Sequence, residues 1–312
     1  MPTYNSYIAA SNAASLIPEE VSREIAQNAV QSSAILRLFR QVPMSTSEQR
    51  KPVLSTLPQA YFVSSPAGLK QTTNMSWTDK FLNAEEIAVI VPIEERVLAD
   101  ASFDIWGEVR PRLSEAFGRA LDAAILFGTG APSSWGDSLL HQITDAGNTV
   151  VHGTGRDVVD EIGGTSGIMA KVEAGGYDVS FFIGATATKA MLRGVRTSDG
   201  ALIFQPEVAA GTPATLYGQP LEFPKNGAWD ATQALLICGD RDAGLVGMRQ
   251  DMTIKLLDQA AISDADGKVI INLAQQDMVA LRATMRVAWV VPNPVTSLGV
   301  PAFPFAALLP AT

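Results

Sequence analysis

The chain has 312 residues and a mass of 33.1 kDa, long for one compact domain and short for three, so one large unit or two intertwined ones is expected. Its 23 Lys and Arg against 32 Asp and Glu give a net charge of −9, which excludes a protein that grips nucleic acid through a basic face. Apolar residues reach 47% while charged residues are only 18%, more burial than a lone monomer needs, so extensive subunit contacts are expected.

The lone cysteine, Cys238, excludes an intrachain disulfide and a thiolate metal cluster and points to a reducing compartment. Met1 to Asn12 lacks the charged-then-apolar order of a secretion signal, and no apolar run reaches the roughly 18 residues of a membrane span. The expectation is a chain that stays in water, without a membrane partner.

In chain order, a helix is expected from Pro18, with Glu19 and Glu20 in its first turn and Arg37 and Arg40 near its end, matching the helix dipole. Val21, Ile25 and Leu36 share a face with Asn28 and Ser32, a stripe apolar enough to need a partner. From Pro43 to Pro92, Pro43, Pro52, Pro58 and Pro66 break helical periodicity. Met75, Trp77 and Asp79 alternate with Ser76 and Thr78, and 87–91 is rich in β-branched residues, so a long strand pair turning near Pro66 to Gly68 is expected, with too little apolar surface for its own core.

Asp104 to Gly128 carries the strongest helical signal. Trp106, Val109, Leu113, Ala116, Ala120 and Phe127 form one broad face, widened by Phe117, Leu121 and Ile125. Pro111 sits inside it, opposite the carbonyl of Gly107, so a kink is expected. A weaker helix is expected over 158–172, diluted by Gly163, Gly164 and Gly167. Beyond Gly176 come a strand at 180–183, a helix at 185–193, a turn at Asp199-Gly200, and strands at 235–238, 252–257 and 278–291, an α+β pattern. The tail carries Pro292, Pro294, Pro301, Pro304 and Pro310 among apolar residues, so it should run extended over protein.

No catalytic constellation emerges. His141 and His152 read as surface-loop residues with no ligand partners at metal spacing, Cys238 as a small core residue, and the Glu85-Glu86 and Glu94-Glu95 pairs as solvated faces. The segment Gly163-Gly164-Thr165-Ser166-Gly167 looks like the loop of serine amidases, but Lys171 is the only nearby base and nothing else of that motif is present. No enzyme activity, cofactor or metal is expected.

The arrangement nevertheless resembles a known architecture. Gly68-Leu69-Lys70-Gln71 through Trp77, the strand at 88–92, Val97-Leu98-Ala99-Asp100, and the helix closing at Leu126-Phe127-Gly128-Thr129-Gly130 follow the order of the major capsid protein of tailed bacteriophages, the Hong Kong ninety-seven type of shell subunit. Ala190-Met191-Leu192-Arg193, Asp199-Gly200, Ile203-Phe204 and Leu216-Tyr217-Gly218-Gln219-Pro220-Leu221 look like that family's axial domain, and Leu16 through Leu38 like its arm.

The resemblance implies an arm at 1–42, an extended loop at 43–92, a peripheral domain at 93–177 and 248–298, an axial domain at 178–247, and a strap at 299–312. It also implies pentamers and hexamers closing into a shell around packaged DNA that is not bound tightly. A scaffold, a portal and decoration proteins are the partners it allows, with the virion as the final location and the host cytoplasm before assembly. Val21, Ile25, Gly68, Lys70, Trp77, Trp106, Pro111 and Phe117 are the expected assembly residues. Some relatives join a loop lysine to a neighbour's asparagine. Here Lys70 suits the amine, but Asp277 and Thr284 stand where asparagine and the assisting glutamate align, so no cross-link is expected. Encapsulins, which share the fold and enclose protein cargo, are the main alternative, and an amidase-like hydrolase the weaker one.

Overall fold

The computed structural model describes residues 33–60, 62, 72–96, 105–155, 157–194, 215–264, 266–296, 298 and 302–311. Val21 and Ile25 of the arm, Gly68 and Lys70 of the loop turn, and the segment at 199–204 lie outside them.

Helix α1 (Ala34–Leu38) opens where the Ser33 hydroxyl accepts a hydrogen bond from the Leu36 amide. It stops at Phe39, whose backbone turns extended, so Arg40 begins a strand where the sequence suggests the end of a helix. Strand β1 (Arg40–Pro43) runs parallel to β10 (Leu245–Leu257), which pairs antiparallel with β13 (Met278–Val290), and β13 with β4 (Glu85–Glu94); between β10 and β13 the short strands β11 (Ala261–Ser263) and β12 (Val269–Asn272) pair with each other. Residues 85–92 therefore belong to this sheet and not to the extended loop in which the sequence reading placed them.

Against one face of that sheet lies α2 (Ile105–Phe127). Its buried stripe is Val109, Leu113, Phe117, Leu121 and Ile125, spaced by four residues, while Ala116 and Ala120 are exposed, so the stripe is narrower than the sequence face suggests. The expected kink is not a break: α2 continues through Pro111, whose ring is on the exposed side.

A six-stranded sheet holds the second half of the fold, in the order β5 (Thr149–Val151), β14 (Phe305–Leu309), β9 (Leu236–Gly239), β6 (Phe181–Gly184), β8 (Gln219–Glu222) and β7 (Thr215–Leu216). The tail is thus no strap. Phe305 to Leu308 are fully buried because β14 sits between β9 and β5 and is covered on both faces. Strand β5 likewise joins this sheet, although 149–151 falls within the segment read as peripheral.

The period of two sorts the sheet's side chains. Phe181, Ile183, Ile237, Phe305 and Ala307 face the core shared with α1, α2 and α3 (Leu139–Asp145). Phe182, Leu236, Cys238, Ala306 and Leu308 face the core formed with α4 (Val158–Gly163), α5 (Ile168–Ala174) and α6 (Thr188–Gly194). The single helix expected over 158–172 is two helices, because the chain doubles back at Gly164 to Gly167. A Cβ at Gly167 would stand 2.6 Å from the Ile162 carbonyl oxygen, so only glycine permits the crossing.

Phe39 joins the two sheets. Its ring meets Phe181 at 5.4 Å and Phe305 at 5.8 Å on one side and Trp289 of β13 at 5.0 Å on the other, all in edge-to-face or near edge-to-face geometry.

Candidate assembly surface

Strands β2 (Glu48–Thr56) and β3 (Ser76–Asn83) form a two-stranded antiparallel ladder that belongs to neither sheet. A lone ladder has no interior, and β3 is exposed from Trp77 to Phe81. Trp77, Asp79 and Phe81 share one face by alternation, with Trp77 61% and Phe81 46% exposed. Asp79 forms an ion pair with Arg50 at 3.0 Å, between the two rings.

The ladder is anchored along one face, opposite the Trp77 and Phe81 face. Val53 and Leu82 are buried, and Leu82 packs with Met44 and Ala288. The Val295 amide donates to the Leu54 carbonyl at 3.0 Å, tying the segment after β13 to β2. A cleft of about 260 Å³ opens there, lined by Val53, Thr78, Lys80, Pro292 and Pro294.

The arm's exit is held by a buried carboxylate. Asp122 of α2 accepts hydrogen bonds from Ser33 Oγ at 2.6 Å, the Ala34 amide at 3.0 Å, the Ile35 amide at 3.2 Å and Asn226 Nδ2 at 2.7 Å. Burial pushes its pKa above the ordinary value and outweighs these four donors. The Arg119 guanidinium, one turn earlier, donates to the Asn226 carbonyl at 2.6 Å, so α2 grips that loop twice.

The expected assembly residues fall into different settings. Trp77 is exposed on the ladder, as a contact residue needs to be. Phe117 is corrected: it is 2% exposed and packs in the chain's own main core, out of a neighbour's reach. Pro111 is exposed on α2, and the Trp106 side chain lies outside the described part of the structure. Asp277 is exposed in a left-handed turn before β13, and Thr284 lies mid-strand, bonded to Thr253 Oγ1 at 3.0 Å.

The polar residues weighed for chemistry do not converge. Lys171 donates to the Gly147 carbonyl at 2.9 Å, so its ammonium is committed away from Ser166, which is exposed in the α4–α5 turn. His152 is not a free loop residue. Its Nδ1 lies 2.7 Å from the buried Glu161 carboxylate, which also accepts from the Gly153 and Gly155 amides and so fastens the 152–155 loop. Cys238 is fully buried, and desolvation drives its thiol pKa strongly upward, leaving no thiolate to react.

His141 also needs correction. Asp137 and Asp145 stand one helical turn to either side of it, with oxygens 3.8 and 3.7 Å from its Nε2. Among the described residues these three gather ligand atoms closely enough for a cation, but all are exposed and water competes for each. The i, i+4, i+8 spacing was the signal that the sequence reading passed over.

The match to known proteins is extensive. The model of the phage capsid family matches residues 13–295. The major capsid protein of Staphylococcus phage 80alpha is 27% identical over 274 residues, covering 86% of this chain and 79% of that protein. A solved structure from Microbacterium phage Oxtober96 is 40% identical with a TM-score of 0.79, covering 89% of this chain and 91% of the other. One from Mycobacterium phage Adephagia is 34% identical, also at a TM-score of 0.79, over 90% of this chain and 91% of the other. The capsid of a native GTA particle shares the fold at 20% identity and a TM-score of 0.62. With its α+β architecture and a ladder whose Trp77 and Phe81 rings its own core leaves uncovered, this chain belongs to the phage capsid family as a structural shell subunit.

Proposed function

We propose that copies of this chain assemble as pentamers and hexamers into an icosahedral shell around double-stranded DNA, located in the virion and, before assembly, in the host cytoplasm. The observation that carries this reading is the β2–β3 ladder, which is anchored along one face and exposes Trp77 and Phe81 on the other. Covering such rings is worth about 25 cal/mol per Å² of apolar surface, so a neighbour's surface is their natural cover. The acidic balance suits an inner wall that lets packaged DNA slide.

In this reading α2 and the four-stranded sheet make the peripheral domain, the six-stranded sheet with α4 to α6 makes the axial domain, and β2 and β3 form the base of the extended loop. A portal, a scaffold and decoration proteins are its expected partners. The shell is held by buried area without covalent cross-links, since Asp277 and Thr284 offer neither amide nor glutamate.

The test is electron microscopy of the purified chain, with and without a co-expressed scaffold. Hollow icosahedral particles are expected. Monomers under every condition would overturn the proposal, and particles filled with enzyme instead of DNA would favour the encapsulin alternative.

A further inference from the structure

The face of the four-stranded sheet turned away from α2 carries an uncompensated pair of cations. Leu281 and Ala283 of β13, with Ile254 and Leu256 of β10, pack toward the helix side, so Arg282, Thr284, Thr253 and Lys255 turn the other way. Lys255 and Arg282 are register partners on adjacent strands. Like charges placed opposite one another destabilise an antiparallel ladder.

No compensation comes from the described residues. Among the described residues no carboxylate lies within 4.0 Å of either cation: the β4 register partner of Arg282 is Ile90, and Glu86, four positions along the same face, pairs with Arg286 at 3.1 Å. The Nε of Arg282 is itself buried, so any contact from outside the subunit falls to the terminal nitrogens of this half-buried side chain. The neighbours of the pair are the Thr253 and Thr284 hydroxyls, 3.0 Å apart, and the exposed Ile90, the register partner of Arg282 on β4.

We propose that this strip is a contact site for a carboxylate side chain of a second copy of this chain. The planar guanidinium takes a carboxylate through two parallel bonds, Lys255 adds charge, and Ile90 supplies apolar cover for the side chain's stem. Charge complementarity selects the second copy. Each copy has nine more acids than bases and so brings spare carboxylates, whereas a nucleic acid would approach an acidic protein and gain nothing from Ile90. The inference rests on the shell reading and adds to it a specific polar contact apart from the ladder's aromatic rings.

The experiment compares Lys255→Gln, Arg282→Gln and the double variant. Unfolding of the unassembled chain should be unchanged or shifted to higher temperature, since a repulsion is removed. The concentration at which shells form should rise about tenfold in each single variant. The double variant should cost less than the product of the two, because both act on one contact. Raising ionic strength should weaken assembly of the native chain more than that of the variants.

Assembly thresholds within about twofold of native in the variants, while the native chain still forms shells, would overturn this contact and leave the shell reading intact. Shells that assemble normally but lose DNA would assign the strip to nucleic acid and overturn it equally. If the native chain forms no shells, both readings fall. Should Arg282→Gln fail to fold, the exposed Lys255 decides the matter alone.

Discussion

Replacing Asp122 with Asn removes a charge and reshapes the tether at the arm's exit. The carboxylate accepts four hydrogen bonds, two from backbone amides of α1 and one each from Ser33 and Asn226. An amide in its place keeps one oxygen, enough for two donors, and turns an NH2 group toward the other two. Two buried donors left unpaired cost about 2–5 kcal/mol, reduced by whatever is gained from no longer burying a charge. Asp122→Ala leaves all four donors without an acceptor and should cost more than Asp122→Asn.

The pH dependence separates the two contributions. Because burial raises the folded-state pKa above the ordinary 3.8, the folded chain holds a proton that the unfolded chain has released in the interval between the two values. Native stability from this group is therefore fully present below the ordinary value and falls as pH rises through the raised one. Asp122→Asn abolishes that segment of the curve. Denaturant unfolding of the unassembled chain over a pH series measures both effects, with an unchanged slope confirming that compactness is not altered. A stability change below about 0.5 kcal/mol with an unaltered pH profile would refute the reasoning, and would mean that water serves these donors as well as Asp122 does.

Four other outcomes are expected. Trp77→Ala should change the unfolding free energy of the subunit by less than about 0.5 kcal/mol while impairing assembly, measured by light scattering; a large loss of subunit stability would place the ring in a core. Deleting 52–80 and joining the ends with a Gly-Ser link should leave a folded chain by circular dichroism that assembles poorly, because Leu82 is kept and Val53 is the only buried residue lost among the described residues of that stretch. Phe305→Ala should cost about 3–5 kcal/mol, since it empties a fully buried site that contacts Phe39 and Phe181; an unfolding midpoint near that of the native chain would restore the tail as a strap. Mature particles boiled in detergent should run as one band at 33.1 kDa, and a ladder of oligomers that vanishes in Lys70→Ala would show that cross-linking partners exist.

Sequence patterning located α2 because its buried stripe repeats every four residues, and β13 and the 252–257 half of β10 because they are rich in apolar residues; residues 245–251 of β10 were missed, next to register shifts that break the strand's pattern. The tail escaped for the opposite reason. Phe305 to Leu309 is a short apolar run between prolines, and its partners, Ile237 and Thr149, are brought to it only by the tertiary fold. Strand β4 was drawn into the extended loop because residues 43–92 share one proline-broken texture. The ladder partner that separates β4, β13, lies almost 200 positions away and leaves no local mark.

Asp122 did leave a mark that went unread: a carboxylate beside Leu121 and within four residues of Ile125, inside the helix's apolar stripe, has to find several donors or remain neutral. The buried Glu161 gave a weaker signal, because Asp157 and Asp160 stand beside it ahead of the glycines that break α4 from α5 and nothing local tells the three acids apart. Phe39 could not be singled out. An aromatic residue at the end of a helical stripe becomes a joint only once two sheets converge on it.

The position of β14 orders events during synthesis. Every other strand of the six-stranded sheet precedes it in the chain, yet β9 and β5 meet only through it, so a nascent chain still lacking residues 305–309 carries a split sheet with both of its cores open. The surface of this domain is completed only when those residues leave the ribosome. A chain cut before Phe305 is therefore expected to leave both cores of this sheet unfinished.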